Sequence, residues 1–334
     1  MLTLGIFYAL LSGICNGLFS APMKMIPRWR WENIWLVFIL VACILMPFTI
    51  VFATVEDYGG LVGASPPSAV MAALSFGFAW GFGAILFGLS VDRLGVSLAN
   101  SLVIGLSSAL GSLVPLLLQG ALQLQPRVIV LFLGILTFLA GVWLCGAAGR
   151  LREGISRAAP ARNIVVGYLF SLGAGVMSAV FNIGYSLAQA IRETGEHLGY
   201  PRFHATNAIW LLMLGAGAIP NIAFCLYLLR RNRTAPLFVK SGWRRGWSLS
   251  ILMGLLWGGS IFLYGAATPL LGDIGPSIGW PLSLAVGLLV ANLMGVLLGE
   301  WRRASRLAVR YMRLGILTLV VAILICAIST EVTL

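Results

Sequence analysis

Charge is what this chain has least of. Only 10% of its 334 residues are Asp, Glu, Lys or Arg, where a soluble domain carries roughly 25%. That shortage excludes an ordinary soluble domain. Lysine occurs twice, at Lys24 and Lys240, and neither stands in a GxxxxGK[ST] frame. A P-loop and a nucleotide-driven motor are therefore excluded. Histidine also occurs twice, at His197 and His204, without metal-ligand spacing. The cysteines (Cys15, Cys43, Cys145, Cys225 and Cys326) all fall inside apolar runs and form no metal-type pair. They read as small buried residues, not as a disulfide framework. No cofactor, metal, nucleotide or nucleic acid is expected.

Apolar sequence fills the space that charge leaves. Hydrophobic residues make up 60% of the chain and the mean hydropathy is +0.98. Ten uncharged runs can be marked out near 4–23, 33–55, 69–91, 94–122, 128–149, 163–191, 204–229, 246–272, 274–299 and 314–330. Each is close to the roughly 20 residues that a membrane-crossing helix needs, or longer. The fold class is all-α: a polytopic membrane protein of ten transmembrane helices. The lipid bilayer is its first partner.

The charges that do occur give an orientation. Alternate gaps hold Lys24, Arg28 and Arg30; Arg93; Arg150, Arg152, Arg157 and Arg162; Arg230 to Arg245; and Arg302 to Arg313. Of 22 basic residues, the other gaps keep only Arg127, Arg192 and Arg202. Cationic loops are retained in the cytoplasm, which predicts both termini outside. The formal charge of +12 is thus a topology signal. A nucleic-acid reading fails because the charges are divided among loops separated by membrane.

The chain also repeats. Shifted by 162, Gly5, Leu10, Gly13 and Phe19 fall on Gly167, Leu172, Gly175 and Phe181. Shifted by 177, Trp80, Gly81, Leu86, Gly88, Leu94 and Gly95 fall on Trp257, Gly258, Leu263, Gly265, Leu271 and Gly272. The halves are 1–149 and 163–334, joined by a basic cytoplasmic linker, 150–162. Five spans per half is an odd number, so the second half enters the membrane from the opposite side. Two inverted five-helix repeats are how many carriers build a midplane site that opens to either face.

Three segments carry a family resemblance: APMKMIPRWRWENIW at 21–35, GFAWGFGAILFGLSVDRLGVSLANSLVIGL at 77–106, and GEWRRA at 299–304. Together they resemble the L-rhamnose/proton symporter family of the drug/metabolite transporter superfamily. The resemblance implies ten helices in two repeats, a bacterial inner membrane, and uptake of a deoxyhexose with protons. It also implies an acidic residue a few positions before the tryptophan that is Trp280 here, where this chain has Pro276 and Ser277.

A sugar site needs neutral hydrogen-bonding groups and an aromatic platform. Asn182, Tyr185 and Gln189 share one face of the sixth span. Trp257, Ser260 and Tyr264 share one face of the eighth. Asn16, Ser20, Trp80, Asn207, Trp210 and Trp280 complete the candidates. For any one of them, interhelical hydrogen bonding is an equally good account; two same-face triads and a repeat-paired tryptophan favour a cavity. Ser97, Asn100, Ser101, Ser107 and Ser108 are read as helix-joining residues. Trp29, Trp31 and Trp35 are read as interface anchors.

No carboxylate sits at mid-span, where proton carriers usually hold one. Asp273, Glu32 and His204 are the near-membrane candidates for proton coupling. Asp273 is first among them, and both carboxylates are expected to be exposed at span ends. The sequence thus predicts a secondary transporter for a small neutral sugar, such as L-rhamnose, or a polyol. Proton coupling is expected to be absent or weak, so protons are a conditional partner. The alternatives are an exporter or exchanger of another neutral metabolite or amphiphile and, remotely, an integral-membrane enzyme.

Overall fold

The computed structural model describes residues 2–94, 96–118, 125–153, 161–240, 242–297, 299, 301–302 and 304–329. Among them are ten helices long and apolar enough to cross a membrane. We number them α1 (Leu2–Met25), α2 (Trp31–Thr54), α3 (Pro67–Leu94), α4 (Val96–Leu118), α5 (Pro126–Glu153), α6 (Val165–His197), α7 (Arg202–Asn232), α8 (Trp243–Leu270), α9 (Gly275–Leu297) and α10 (Arg306–Ile328). The chain is a multi-pass membrane protein. Helices are the natural outcome, because hydrocarbon offers no partner to a backbone N–H or C=O that its own segment leaves unpaired.

Each apolar run became one spanning segment, the sixth broken at Ala188 into Ala161–Leu187 and Gln189–His197, with three further local departures. The last helix starts earlier than the run at 314–330, so Arg306, Arg310 and Arg313 lie on α10 and not in a loop. Ser305 caps it, its Oγ accepting from the Ala308 N–H at 3.2 Å. A short helix, Tyr58–Ala64, fills the α2–α3 connection and is capped by Asp57, which accepts from the Gly60 N–H at 2.7 Å. Within α2, Leu40–Leu45 winds as a π-helix just before Pro47. A proline lacks an N–H and clashes with the carbonyl four residues back, and the wider turn accommodates it. The expected linker lies largely outside the described residues. Its ends continue α5 through Glu153 and begin the α6 segment at Ala161.

Most helices find their partners in the other half of the chain. The helix α3 packs along α6 and α7, and α8 packs along α1 and α2. Likewise α1 packs along α9 and α6 along α4, while α2 meets α7 and α5 meets α10. Glycine permits the closest of these approaches. A Cβ on Gly81 would stand 2.4 Å from the Gly217 carbonyl oxygen, and one on Gly13 would stand 2.7 Å from that of Ser283. Without a hydrophobic drive between helices in lipid, such close packing is what joins them. Large apolar side chains such as Phe48 and Leu317 cover the outside.

Candidate functional site

Four helices bring aromatic rings to the centre of the bundle. Trp80 of α3 and Trp257 of α8 stack with ring centroids 5.3 Å apart and planes 11° from parallel. Phe181 of α6 packs on Trp80 at 5.0 Å, and Phe38 of α2 meets Trp257 edge-on at 5.8 Å. These rings wall a cavity of about 180 Å³. Its polar lining comes from Ser12 and Asn16 of α1, Ser178 of α6, Ser260 and Tyr264 of α8, and Trp280 and Ser283 of α9.

Several of these groups are held in place. Ser12 Oγ donates to the Ser260 carbonyl at 2.8 Å and lies 2.9 Å from Ser283 Oγ. The Trp280 indole N–H donates to the Ser107 carbonyl at 3.2 Å, and Ser107 Oγ donates to Ser178 Oγ at 2.8 Å. Ser107 is thus the helix-joining residue the sequence suggested. The side chains of Ser97 and Asn100 lie outside the described residues.

On one side the cavity continues into a wider mouth of about 500 Å³. Phe19, Trp35, Ala84 and Phe87 line both spaces. Ser20, Met23, Lys24, Trp31, Arg152 and Trp301 surround the mouth, which therefore opens on the face that carries the basic loops. On the other side the path is plugged. Asn182 donates to the Gly111 carbonyl at 2.7 Å and to the Pro276 carbonyl at 3.1 Å. Tyr264 donates to the Asn182 Oδ1, and the Tyr185 and Thr268 hydroxyls are hydrogen-bonded to each other. Trp210 closes the plug by stacking on Tyr185 at 4.4 Å. The result ties α6 to α4, α8 and α9.

The candidate residues thus separate by depth. Asn16, Trp80, Trp257, Ser260, Tyr264 and Trp280 line the cavity, and Ser20 lines its mouth. Asn182, Tyr185, Asn207 and Trp210 are fully buried on the closed side. Gln189 lies beyond them, donating to the Tyr185 carbonyl and accepting from Arg192.

Two of the three basic-face tryptophans, Trp29 and Trp35, are not interface anchors. Trp29 is buried against Phe238 and Trp247. Trp35 donates to Asn221 Oδ1 at 3.1 Å while facing the cavity. The stripe Trp31, Trp35, Phe38, at i, i+4 and i+7, was the signal available for this placement.

Glu32 is also not an exposed span-end carboxylate. It is 4% exposed and accepts from Thr234 Oγ1 at 2.7 Å and Asn232 Nδ2 at 3.0 Å, fastening α2 to the end of α7. Asp273 is exposed in the α8–α9 turn, and His204 is half-buried at the start of α7. No carboxylate or histidine lines the cavity among the described residues, and no group of three His, Cys, Asp or Glu there could hold a metal ion.

Known proteins match the chain along its whole length. The profile of the L-rhamnose-proton symport protein family covers residues 1–331. The L-rhamnose-proton symporter of Citrobacter koseri is 27% identical over 334 residues, covering 96% of each chain. That of Salmonella typhimurium is 28% identical over 337 residues, again covering 96% of each. One solved crystal structure has the same fold, with a TM-score of 0.56 at 17% identity, covering 97% of this chain and 94% of the other.

Proposed function

The chain belongs to the L-rhamnose-proton symport protein family, and from that premise we propose that it carries L-rhamnose across the membrane with protons by alternating access. The observation that carries this reading is a central cavity open to one face and plugged at the other. The stacked Trp80–Trp257 pair suits the apolar face of a deoxyhexose. The hydroxyls and the Asn16 amide around it suit the sugar's own hydroxyls. A secondary transporter of this kind is not an enzyme.

Two inverted repeats, 1–149 and 163–334, account for the alternation. Repeat partners meet equivalent surroundings: Trp80 and Trp257 face each other, and Phe19 and Phe181 both line the cavity. Under the same shifts the plugging residues Asn182, Tyr185 and Tyr264 fall on Ser20, Met23 and Phe87, which line the open mouth. One set of positions is closed while its counterpart is open, as rocking about a fixed midplane site requires. The basic face, and hence the mouth, is cytoplasmic, with both termini outside a bacterial inner membrane. The family's place is within the drug/metabolite transporter superfamily.

A second reading is favoured by the cavity wall, which presents no carboxylate or histidine among the described residues. On that reading the carrier is a facilitator or exchanger. Uptake of L-rhamnose into proteoliposomes under an imposed proton gradient tests both. Accumulation above the external concentration, collapsing with a protonophore, supports symport. Equilibration without accumulation supports the facilitator, and no saturable uptake removes L-rhamnose as the substrate.

A further inference from the structure

Asn207, on α7, is fully buried, and neither its amide nitrogen nor its amide oxygen has a hydrogen-bond partner among the described residues. Three residues on, the fully buried Trp210 has an unpartnered indole N–H. Trp210 is part of the plug, stacked on Tyr185 at 4.4 Å and on Phe181 at 5.8 Å. A buried polar group without a partner is costly, and a low-dielectric surround raises the cost. Two such groups one helical turn apart need a reason.

The other half of the chain supplies one. The second span of each half opens with an asparagine closely followed by a tryptophan, Asn33 and Trp35 two residues apart in α2 and Asn207 and Trp210 three apart in α7. Trp35 lies on the open side, where its ring lines both cavity and mouth and its N–H is hydrogen-bonded. Trp210, near the start of α7, lies on the side that is shut, against Tyr185 of the plug.

We propose that Asn207 and Trp210 are sugar-binding residues of the opposite-facing state. Once the Tyr185–Thr268 and Asn182–Tyr264 bonds part, the Asn207 amide faces the cavity. Two amide donors and one carbonyl acceptor suit adjacent hydroxyls of a monosaccharide, and the indole adds a third donor beside an aromatic face. The ligand is the neutral sugar of the proposed transport cycle, so the inference rests on that reading.

The test uses full-length protein in oriented vesicles. Asn207→Leu keeps the branched shape of the side chain and removes the amide. Expected is a fall in initial L-rhamnose uptake from the closed face by about tenfold or more, the loss of one well-made hydrogen bond or more. The ligand-free melting temperature should not fall. The L-rhamnose Kd of purified protein should stay within about threefold, because the resting cavity excludes Asn207. Trp210→Phe, which keeps the stacking and loses the N–H, should show the same pattern. Unchanged uptake, or uptake and melting temperature falling together in both variants, overturns the proposal. In a background lacking native cysteines, Asn207→Cys should react with a membrane-impermeant thiol reagent added at the closed face. L-rhamnose should slow that reaction. No reaction overturns the proposal whatever the sugar. Reaction without protection by L-rhamnose, together with no wild-type uptake, instead removes the L-rhamnose reading and leaves the exposure of Asn207 standing.

Discussion

Trp80 and Trp257 lie 177 positions apart in sequence and stack face to face at the centre of the bundle. On the proposed repeat each comes from the same position of its half, so the platform they form would be shared by the two halves and favour neither face. A ligand resting against it keeps its aromatic contact while the helices around it rearrange. Trp80→Ala and Trp257→Ala should therefore weaken L-rhamnose binding to a similar degree. An aromatic contact contributes about 0.5–1.5 kcal/mol beyond the area it buries, so each variant should lose up to about tenfold in Kd. Trp→Phe should recover part of this. Calorimetry on purified protein checks it, and a strong effect at one tryptophan alone would deny the shared platform.

On the proposed cycle the plug sets which way the empty carrier rests. Tyr185→Phe removes the bond to Thr268 while preserving the ring stacked on Trp210. Losing one net hydrogen bond, about 0.5–1.5 kcal/mol, should raise the population open to the plugged face by roughly two- to tenfold. The reaction rate of Ser277→Cys with an impermeant thiol reagent at that face reads this population. Ser277 is suited to the purpose because it is fully buried at the start of α9, next to the Pro276 carbonyl that the plug engages. An unchanged rate would mean that the Tyr185 hydroxyl does not hold the plug.

Glu32 should matter for stability. Its carboxylate accepts from Asn232 and Thr234, and Asn33 Nδ2 donates to the Thr234 carbonyl at 3.0 Å. Glu32→Ala leaves the buried Thr234 hydroxyl without its acceptor, at a cost of about 1–3 kcal/mol. Glu32→Gln keeps a carbonyl oxygen as acceptor and should cost less. Thermal unfolding in detergent checks the order wild type, Gln, Ala.

The ten helices were legible in the sequence because crossing hydrocarbon demands a long apolar run, and each run declares itself locally. The start of α10 was not, since Arg306, Arg310 and Arg313 on a helix end read in sequence like a charged loop. The site was legible only in part. Trp257, Ser260 and Tyr264 were singled out through their shared face, and all three line the cavity. Asn182 and Tyr185 share a face just as well, yet that face meets the closed plug. Which polar face borders open space depends on which way the carrier points, and no spacing along one helix encodes that. The burial of Glu32, expected to be exposed, was hidden for a different reason: its partners lie 200 and 202 residues further along the chain.

The loops give a topology test. Val239 is 79% exposed in the connection between α7 and α8, flanked by the basic residues of the mouth's face. Retention of cationic loops predicts that face to be cytoplasmic. In a background lacking native cysteines, Val239→Cys should resist an impermeant thiol reagent in intact cells and react once the membrane is opened. Labelling in intact cells would reverse the orientation and place the open mouth outside.

Proton coupling is the sharpest open test of the family reading. A coupled proton must ride on a group reached from both faces in turn. Asp273 does not meet that condition in this structure, since it lies exposed in the α8–α9 turn on the plugged side and does not line the cavity. Glu32 stands at the other end of the bundle, fastened between α2 and α7. Neither reaches the cavity between them. Asp273→Asn should therefore keep whatever gradient-driven accumulation the wild type shows, to within about twofold, because removing a solvated surface carboxylate changes little. The measurement is L-rhamnose accumulation in proteoliposomes with an inward proton gradient, with and without protonophore. If the wild type accumulates sugar and Asp273→Asn only equilibrates it, the turn must enter the transport path in a state other than this one, and Asp273 becomes the proton-binding residue. If both accumulate equally, coupling resides elsewhere. The exchange of protons would then have to be sought at Glu32, with Glu32→Gln the next variant to measure.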